Sequence, residues 1–191
     1  MKTRVAIFAS GAGTNARNII AHFKKHPSIE IALVISTNLK AGVVAVAAEN
    51  NIPCFVLEDD EPNDAKLILD VIRNEEINFV VLSGYMRKIP DAVTRALVGR
   101  MVNIHPALLP KFGGKGMFGK RVHQAVIDAG EKETGITIHF VNENYDDGAI
   151  IYQATCEVSQ QDSVEDILKK VHALEYNHYP RVIEETVLSL S

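Results

Sequence analysis

The sequence predicts an α/β fold, a mostly parallel sheet with helices packed on both faces. Three observations predict it. Short apolar runs rich in β-branched residues recur along the chain. Segments with apolar residues at a 3.6-residue period lie between them. The last third changes pattern, with two such runs joined by a polar turn rather than a helix. Strands alternating with helices imply βαβ units, and right-handed crossovers place helices on both faces of the sheet.

The first strand is expected at Val5–Ala9. It runs into Ser10-Gly11-Ala12-Gly13-Thr14-Asn15-Ala16, which fits G-x-G-x-x-A. Glycines there allow a tight turn and let a phosphate approach the amides at a helix start. A dinucleotide site also needs an acidic residue about 20 positions on. The second strand, Ile29–Ile35, ends in Ser36-Thr37-Asn38-Leu39-Lys40, without Asp or Glu. A single phosphate at the helix start remains, beside the plain reading of a turn with no ligand. The intervening helix, Asn15–Lys25, buries Ile19, Ile20 and Phe23 by its periodicity. Further strands are expected at Cys54–Leu57, Asn78–Leu82 and Met101–Ile104, with a helix over Ala65–Arg73.

Met101-Val102-Asn103-Ile104-His105-Pro106 sets two polar residues at the carboxyl end of a buried strand. Ligands of open α/β sheets bind outside such ends. Alternation puts Asn103 and His105 on one face of the strand. An Asn amide can donate to a developing oxyanion, and a His can move a proton near neutral pH. Strand-end capping is the plain alternative. The loop Pro110–Arg121 carries four glycines and four cations. It reads as a mobile basic flap that screens an anion, or as a solvated loop.

Gly135–Val141 and Ala149–Thr155 are expected strands joined by a turn-rich segment containing Asp146 and Asp147, a hairpin-like excursion at the sheet edge. Turn loops carry Asp for local hydrogen bonding. A catalytic role for Asp146 requires the loop to fold back over His105. Asp162-Ser163-Val164-Glu165 reads as a helix start with a capping box from Asp162 to Glu165. That helix should reach about His178, where Pro180 breaks or kinks it. Glu175 borders its apolar face and needs a partner, either a sugar diol or a structural cation.

The chain has 191 residues, which predicts one domain over residues 1–191. Net charge is −4, from 20 Lys and Arg against 24 Asp and Glu, which counts against a broad nucleic-acid surface. Two cysteines cannot supply a four-Cys zinc site. The apolar run Val5–Ala9 is too short for the core of a signal segment, and no stretch approaches the roughly 20 apolar residues of a membrane helix. A cytoplasmic protein is expected, with no nucleic-acid or membrane partner, acting on small molecules as a monomer or weak homodimer.

Together these motifs are specific. Ser10-Gly11-x-Gly13-Thr14-Asn15, Leu82-Ser83-Gly84-Tyr85-Met86-Arg87, Asn103-Ile104-His105-Pro106-Ala107-Leu108-Leu109-Pro110 and His139-Phe140-Val141 followed by Asp146 occur in this order. Over essentially its whole length the sequence resembles the folate-dependent phosphoribosylglycinamide formyltransferases. The resemblance implies a Rossmann-like, mostly parallel sheet of about seven strands with partly antiparallel C-terminal edge strands. It implies formyl transfer from 10-formyltetrahydrofolate, as cosubstrate, to the amine of glycinamide ribonucleotide in purine biosynthesis, with no metal. Asn103, His105 and Asp146 match the family's catalytic trio. Gly13, Thr14 and Asn15 match its phosphate loop, and Glu175 its ribose-binding carboxylate. Met86, Arg87, Lys88 and Ile89 match the segment that holds folate, as do Asn103, Val141 and Asn142 around the folate-contacting loop. By the same resemblance Asp146 keeps His105 cationic. The loop Gly113–Arg121 departs from the compact members, although His123 matches a histidine at its end. The acidic segment Asp59, Asp60, Glu61 and Asp64 replaces a basic contact of some members and is assigned no site.

The trio serves the formyl group rather than the acceptor, so a formyltransferase acting on an amino sugar nucleotide is a second reading. Its relatives acting on methionyl-tRNA or hydrolysing formyl-folate carry added domains, for which the chain is expected to be too short. A non-catalytic nucleotide-binding module explains the glycine loop and leaves the trio without a task. A metal hydrolase lacks ligand spacing among His105, His123, His139 and His178.

Overall fold

Alternation along the first strand divides the core into two layers. In the computed structural model, which describes residues 2–58 and 60–190, β1 (Thr3–Phe8) is an interior strand, flanked by neighbours on both sides. Met1 in the N-terminal run and Asp59 in the acidic segment lie outside the described residues. Val5, Ile7 and Ala9 face a layer built by α1 (Thr14–Phe23), α2 (Gly42–Glu49) and α6 (Val164–Ser189). Ala6 and Phe8 face a layer built by α3 (Ala65–Asn74) and α4 (Asp91–Ala96). Strands buried on both faces read as continuous apolar runs, which is why composition revealed them.

The sheet is completed by β2 (Ile29–Ser36), β3 (Cys54–Val56), β4 (Phe79–Leu82), β5 (Met101–His105), β6 (Glu133–Phe140) and β7 (Ile150–Glu157), in the order β3-β2-β1-β4-β5-β6-β7. The first five strands are parallel, and β6 and β7 are antiparallel additions at one edge. Chain order reverses between β1 and β4, the switch point where such sheets open a crevice. Two backbone bonds clip the loops there: the Ser10 N–H donates to the Gly84 carbonyl at 3.1 Å, and the Ser83 N–H to Phe8 at 2.9 Å.

All seven expected strands are present, each within two residues of its expected bounds. Three helices were not expected. α2 is apolar almost all round and has no side-chain cap, so it carries no 3.6-residue stripe. α4 has only six residues. α5 (Lys120–Asp128) begins inside the segment read as a basic flap, and buried His123 interrupts its apolar face. Two of the four flap cations are paired, Lys111 with Glu131 and Lys120 with Glu165.

The last helix corrects two expectations. Its capping box is Ser163 with Asp166, one residue beyond the expected pair. Asp162 is withdrawn from that role because it accepts from Lys170 and from the Ser159 N–H. The helix also continues through Pro180 to Ser189. Proline removes one hydrogen bond and frees the carbonyl four residues back. That carbonyl, Tyr176, accepts instead from Asn18 Nδ2 of α1 at 2.8 Å. Burial of Tyr179, Pro180, Val182 and Ile183 holds the remainder of the helix on the sheet.

Gly148 closes the β6–β7 excursion. A Cβ there would stand 1.7 Å from the Phe140 carbonyl oxygen, and backbone cannot yield that distance cheaply. Gly148→Ala is expected to lower unfolding stability by about 1–3 kcal/mol, the usual scale of overpacking. Gly11→Ala, where the new methyl meets nothing within 4 Å, is the control. Chemical denaturation of both variants measures the difference.

Candidate active site

Every residue that the resemblance assigns to a catalytic or binding role lines one cavity of about 430 Å³ at the switch point. The loop after β1 contributes Gly13, Thr14 and Asn15; the loop after β4 contributes Met86, Arg87, Lys88 and Ile89; β5 contributes Asn103 and His105; the β6–β7 excursion contributes Val141, Asn142 and Asp146; and α6 contributes Glu175.

One end of the cavity is a helix start. Gly13 adopts φ +79°, and a Cβ there would lie 2.7 Å from the Val43 backbone, so only glycine fits. α1 has no side-chain cap, and its first-turn amides have no partners within the helix. Such a terminus attracts anions. Beside it Asn15 Nδ2 donates to Glu175 Oε2 at 2.8 Å. Glu175 is 6% exposed. Burial raises its carboxyl, and the Asn15 bond and the facing His172 oppose that rise. The partner the carboxylate needed is thus an amide, with His172 Nε2 at 3.9 Å.

The centre is a polar cluster set by strand pairing. The β5–β6 register places Asn103 opposite His139 and His105 opposite Thr137. His139 Nδ1 donates to the Phe140 carbonyl at 2.8 Å, which leaves Nε2 to accept from Asn103 Nδ2 at 3.2 Å. The same amide donates to Asp146 Oδ1 through a long 3.5 Å bond. The expected fold-back of the 142–148 segment is present: Asp146 Oδ2 lies 3.5 Å from His105 Nδ1. Asp146 itself sits in the left-handed region at φ 52°, which Asp tolerates better than most residues.

The segment after β5 completes the cluster. His105 Nε2 donates to the Phe112 carbonyl at 2.8 Å, and the Gly114 N–H donates to Asp146 Oδ2 at 2.9 Å. The part of the flap next to β5 is therefore docked on the trio. Thr137 secures its approach, donating to Ala107 and accepting from the Leu109 N–H.

Electrostatics correct one expectation. Burial pushes the His105 imidazole below its ordinary value; the Asp146 charge and the Phe112 carbonyl oppose this without winning. The net direction favours a neutral rather than a cationic His105. Burial would raise the Asp146 carboxyl, but any positive character that the facing His139 and His105 rings take on, together with the Gly114 N–H, holds it below the usual range. The pair is thus a carboxylate beside a neutral imidazole framed by two acceptors.

The opposite end is more apolar, with Ile89 and Val141 in its wall. Ser83 Oγ and Tyr85 OH are sealed there without a hydrogen-bond partner among the described residues. Residues that sequence reasoning did not assign also line the cavity, chiefly His123, His139 and His172. Strand pairing identifies His139 only once register is known. His172 lies three residues before Glu175, a spacing that shares a helix face. Among the described residues no group of three or more His, Cys, Asp or Glu is arranged to hold a metal ion, and no helix is long and apolar enough to cross a membrane.

His123 gives the fold a pH signature. Burial, then the facing His172 and His105, lowers it from 6.5 to about 4. The unfolded chain therefore binds more protons between those values. The stability His123 contributes is complete above pH 6.5 and is lost as pH falls toward 4. The slope is at most about 1.4 kcal/mol per pH unit, reduced where cavity water screens the ring. His123→Phe is expected to flatten this acid limb in denaturant unfolding between pH 7 and 4.5.

Comparison with known proteins identifies the family of the chain. The formyl transferase family model matches residues 3–183. The chloroplastic phosphoribosylglycinamide formyltransferase of Arabidopsis thaliana is 37% identical over 188 residues, covering 95% of this chain and 64% of that protein. The chain thus spans less than two thirds of that plant relative. The phosphoribosylglycinamide formyltransferase of Bacillus subtilis is 35% identical over 187 residues, covering 95% and 93%. The crystal structure of phosphoribosylglycinamide formyltransferase from Bacillus halodurans superposes with a TM-score of 0.88 at 36% identity, covering 99% and 97%. The match from residue 3 to residue 183, with relatives 35–37% identical over nearly the whole chain, places this protein in the formyl transferase family.

Proposed function

We propose that this chain transfers a formyl group from 10-formyltetrahydrofolate to the amine of 5'-phosphoribosylglycinamide, a step of purine biosynthesis. One observation carries the reading. A single cavity joins an uncapped helix start and the Asn15–Glu175 pair to the Asn103–His105–Asp146 cluster, and continues to an apolar wall. A phosphate suits the first feature, a ribose diol the second and a formyl carbon the third. The apolar wall, with Ile89 and Val141 in it, suits a heteroaromatic ring. An amino sugar nucleotide gains no separate support from these features.

The donor supplies a formyl carbon activated by its bond to nitrogen. His105 begins neutral, with its Nδ1 lone pair toward Asp146. As the acceptor amine adds to the formyl carbon, Nδ1 takes the amine proton. The resulting imidazolium is held by the Asp146 carboxylate and the Phe112 carbonyl, the two acceptors that frame the ring. Asn103 surrenders its long bond to Asp146 and donates that N–H to the negative charge developing on the formyl oxygen. His139 keeps the amide in this orientation. His105 then returns its proton to the departing donor nitrogen, so protons balance and the formamide product leaves neutral. Burial of the cluster strengthens each of these interactions relative to water.

Asp146→Asn retains the left-handed backbone and removes the charge. It is expected to lower kcat at least about 100-fold with little change in acceptor affinity; steady-state kinetics with calorimetric binding would reveal the split, and wild-type turnover would reject the role. Glu175→Ala is expected to raise KM for the ribonucleotide about 10-fold, the scale of a hydrogen bond to a charged group. Titration of glycinamide ribonucleotide against its dephosphorylated analogue tests the helix start. Equal affinities would remove the phosphate from the assignment.

A further inference from the structure

The proposed chemistry leaves one buried polar ring of the cavity without a task. His123 stands in the first turns of α5, is 2% exposed and lines the cavity. No hydrogen bond reaches either ring nitrogen from the described residues, and Nδ1 is sealed from solvent. Buried polar groups are ordinarily paired, so an unpaired ring in a cavity wall points to a ligand that completes it. Its neighbours locate it. The rings that act on it electrostatically are His172, beside Glu175, and His105, at the reacting centre. His123 therefore lines the cavity within electrostatic reach of both the ribose end and the reacting centre.

We propose that His123 is an acceptor-binding residue that donates a hydrogen bond to the amide carbonyl linking the ribose of the substrate to its reacting amine. This rests on the acceptor being glycinamide ribonucleotide. The chemistry follows from the ring's setting. A neutral imidazole carries one N–H and one lone pair. Leaving the lone pair at sealed Nδ1 is less costly than leaving an N–H there, since under-satisfied acceptors are commoner than orphaned donors. The proton then sits on Nε2, at the other edge of the ring, where it can be donated into the cavity. A neutral donor suits a neutral carbonyl. It also adds no positive charge beside His105, which must gain a proton during the reaction.

The test compares wild type, His123→Phe and His123→Gln. Gln places an amide N–H near the position of Nε2, whereas Phe fills the space without a donor. His123→Phe should raise KM for glycinamide ribonucleotide about 5- to 10-fold, the scale of one neutral hydrogen bond. KM for the formyl donor and the thermal midpoint at pH 7.5 should not fall below wild type, and His123→Gln should recover most of the lost affinity. An acceptor analogue with a methylene in place of the amide carbonyl should show the same KM with wild type and His123→Phe. An unchanged acceptor KM in His123→Phe, or equal discrimination against the methylene analogue by both proteins, would overturn the assignment. A lowered midpoint with both KM values raised would make the ring structural. If wild type transfers no formyl group to glycinamide ribonucleotide, the substrate reading itself falls, an outcome distinct from the others.

Discussion

The antiparallel seating of β6 on β5 is the constraint on which the site depends. Reversing one strand places His139 directly across from Asn103 and Thr137 across from His105. Each then does a separate job: His139 sets the amide, and Thr137 ties down the Ala107–Leu109 backbone. The excursion after β6 starts beside the amino end of β5, where the Val141 N–H donates to the Met101 carbonyl, and folds back so that Asp146 arrives beside His105. A register slip of one residue would turn every one of these side chains to the opposite face.

Desolvation sets the balance inside that cluster. His105 and His139 are almost wholly buried, and Asp146 nearly so. Burying charge costs more than burying a neutral ring, so the resting state keeps a single negative charge and spreads it over several donors. The acceptors around His105 are nonetheless placed for the imidazolium. The ring thus rests in one protonation state while its surroundings suit the other, and this mismatch is relieved only as the amine gives up its proton. The docked Phe112–Gly114 backbone takes part directly, since one of its carbonyls and one of its amides complete the pair.

Much of this was legible in the residues. Apolar runs buried on both faces give the strands, and an Asn and His two apart at a strand end suggest chemistry at the open end of a sheet. Glu175 stood out because a carboxylate on an apolar face requires a partner. The rest was hidden for physical reasons. α2 has no polar face to mark its period, and α5 buries a histidine where an aliphatic residue would have signalled a helix. The cap at Ser163 depended on Lys170 claiming Asp162, a contact between elements that local patterning does not record. The protonation state of His105 depended on how deeply a neighbouring loop covers it, which residue spacing does not encode. His123 needed the whole cavity before its isolation was visible.

The passage of α6 through Pro180 has a consequence for the descent of the sequence. The ring and the Asn18 amide are two halves of one accommodation, since the Tyr176 carbonyl freed by the proline is answered from a helix 158 residues away in the chain. Replacing Asn18 alone hands that exposed carbonyl to water, whereas replacing Pro180 alone restores a helical amide that competes for it. Drift at Asn18 is therefore cheap while solvent reaches the carbonyl, and a lineage that loses Pro180 also loses the reason for an amide at position 18.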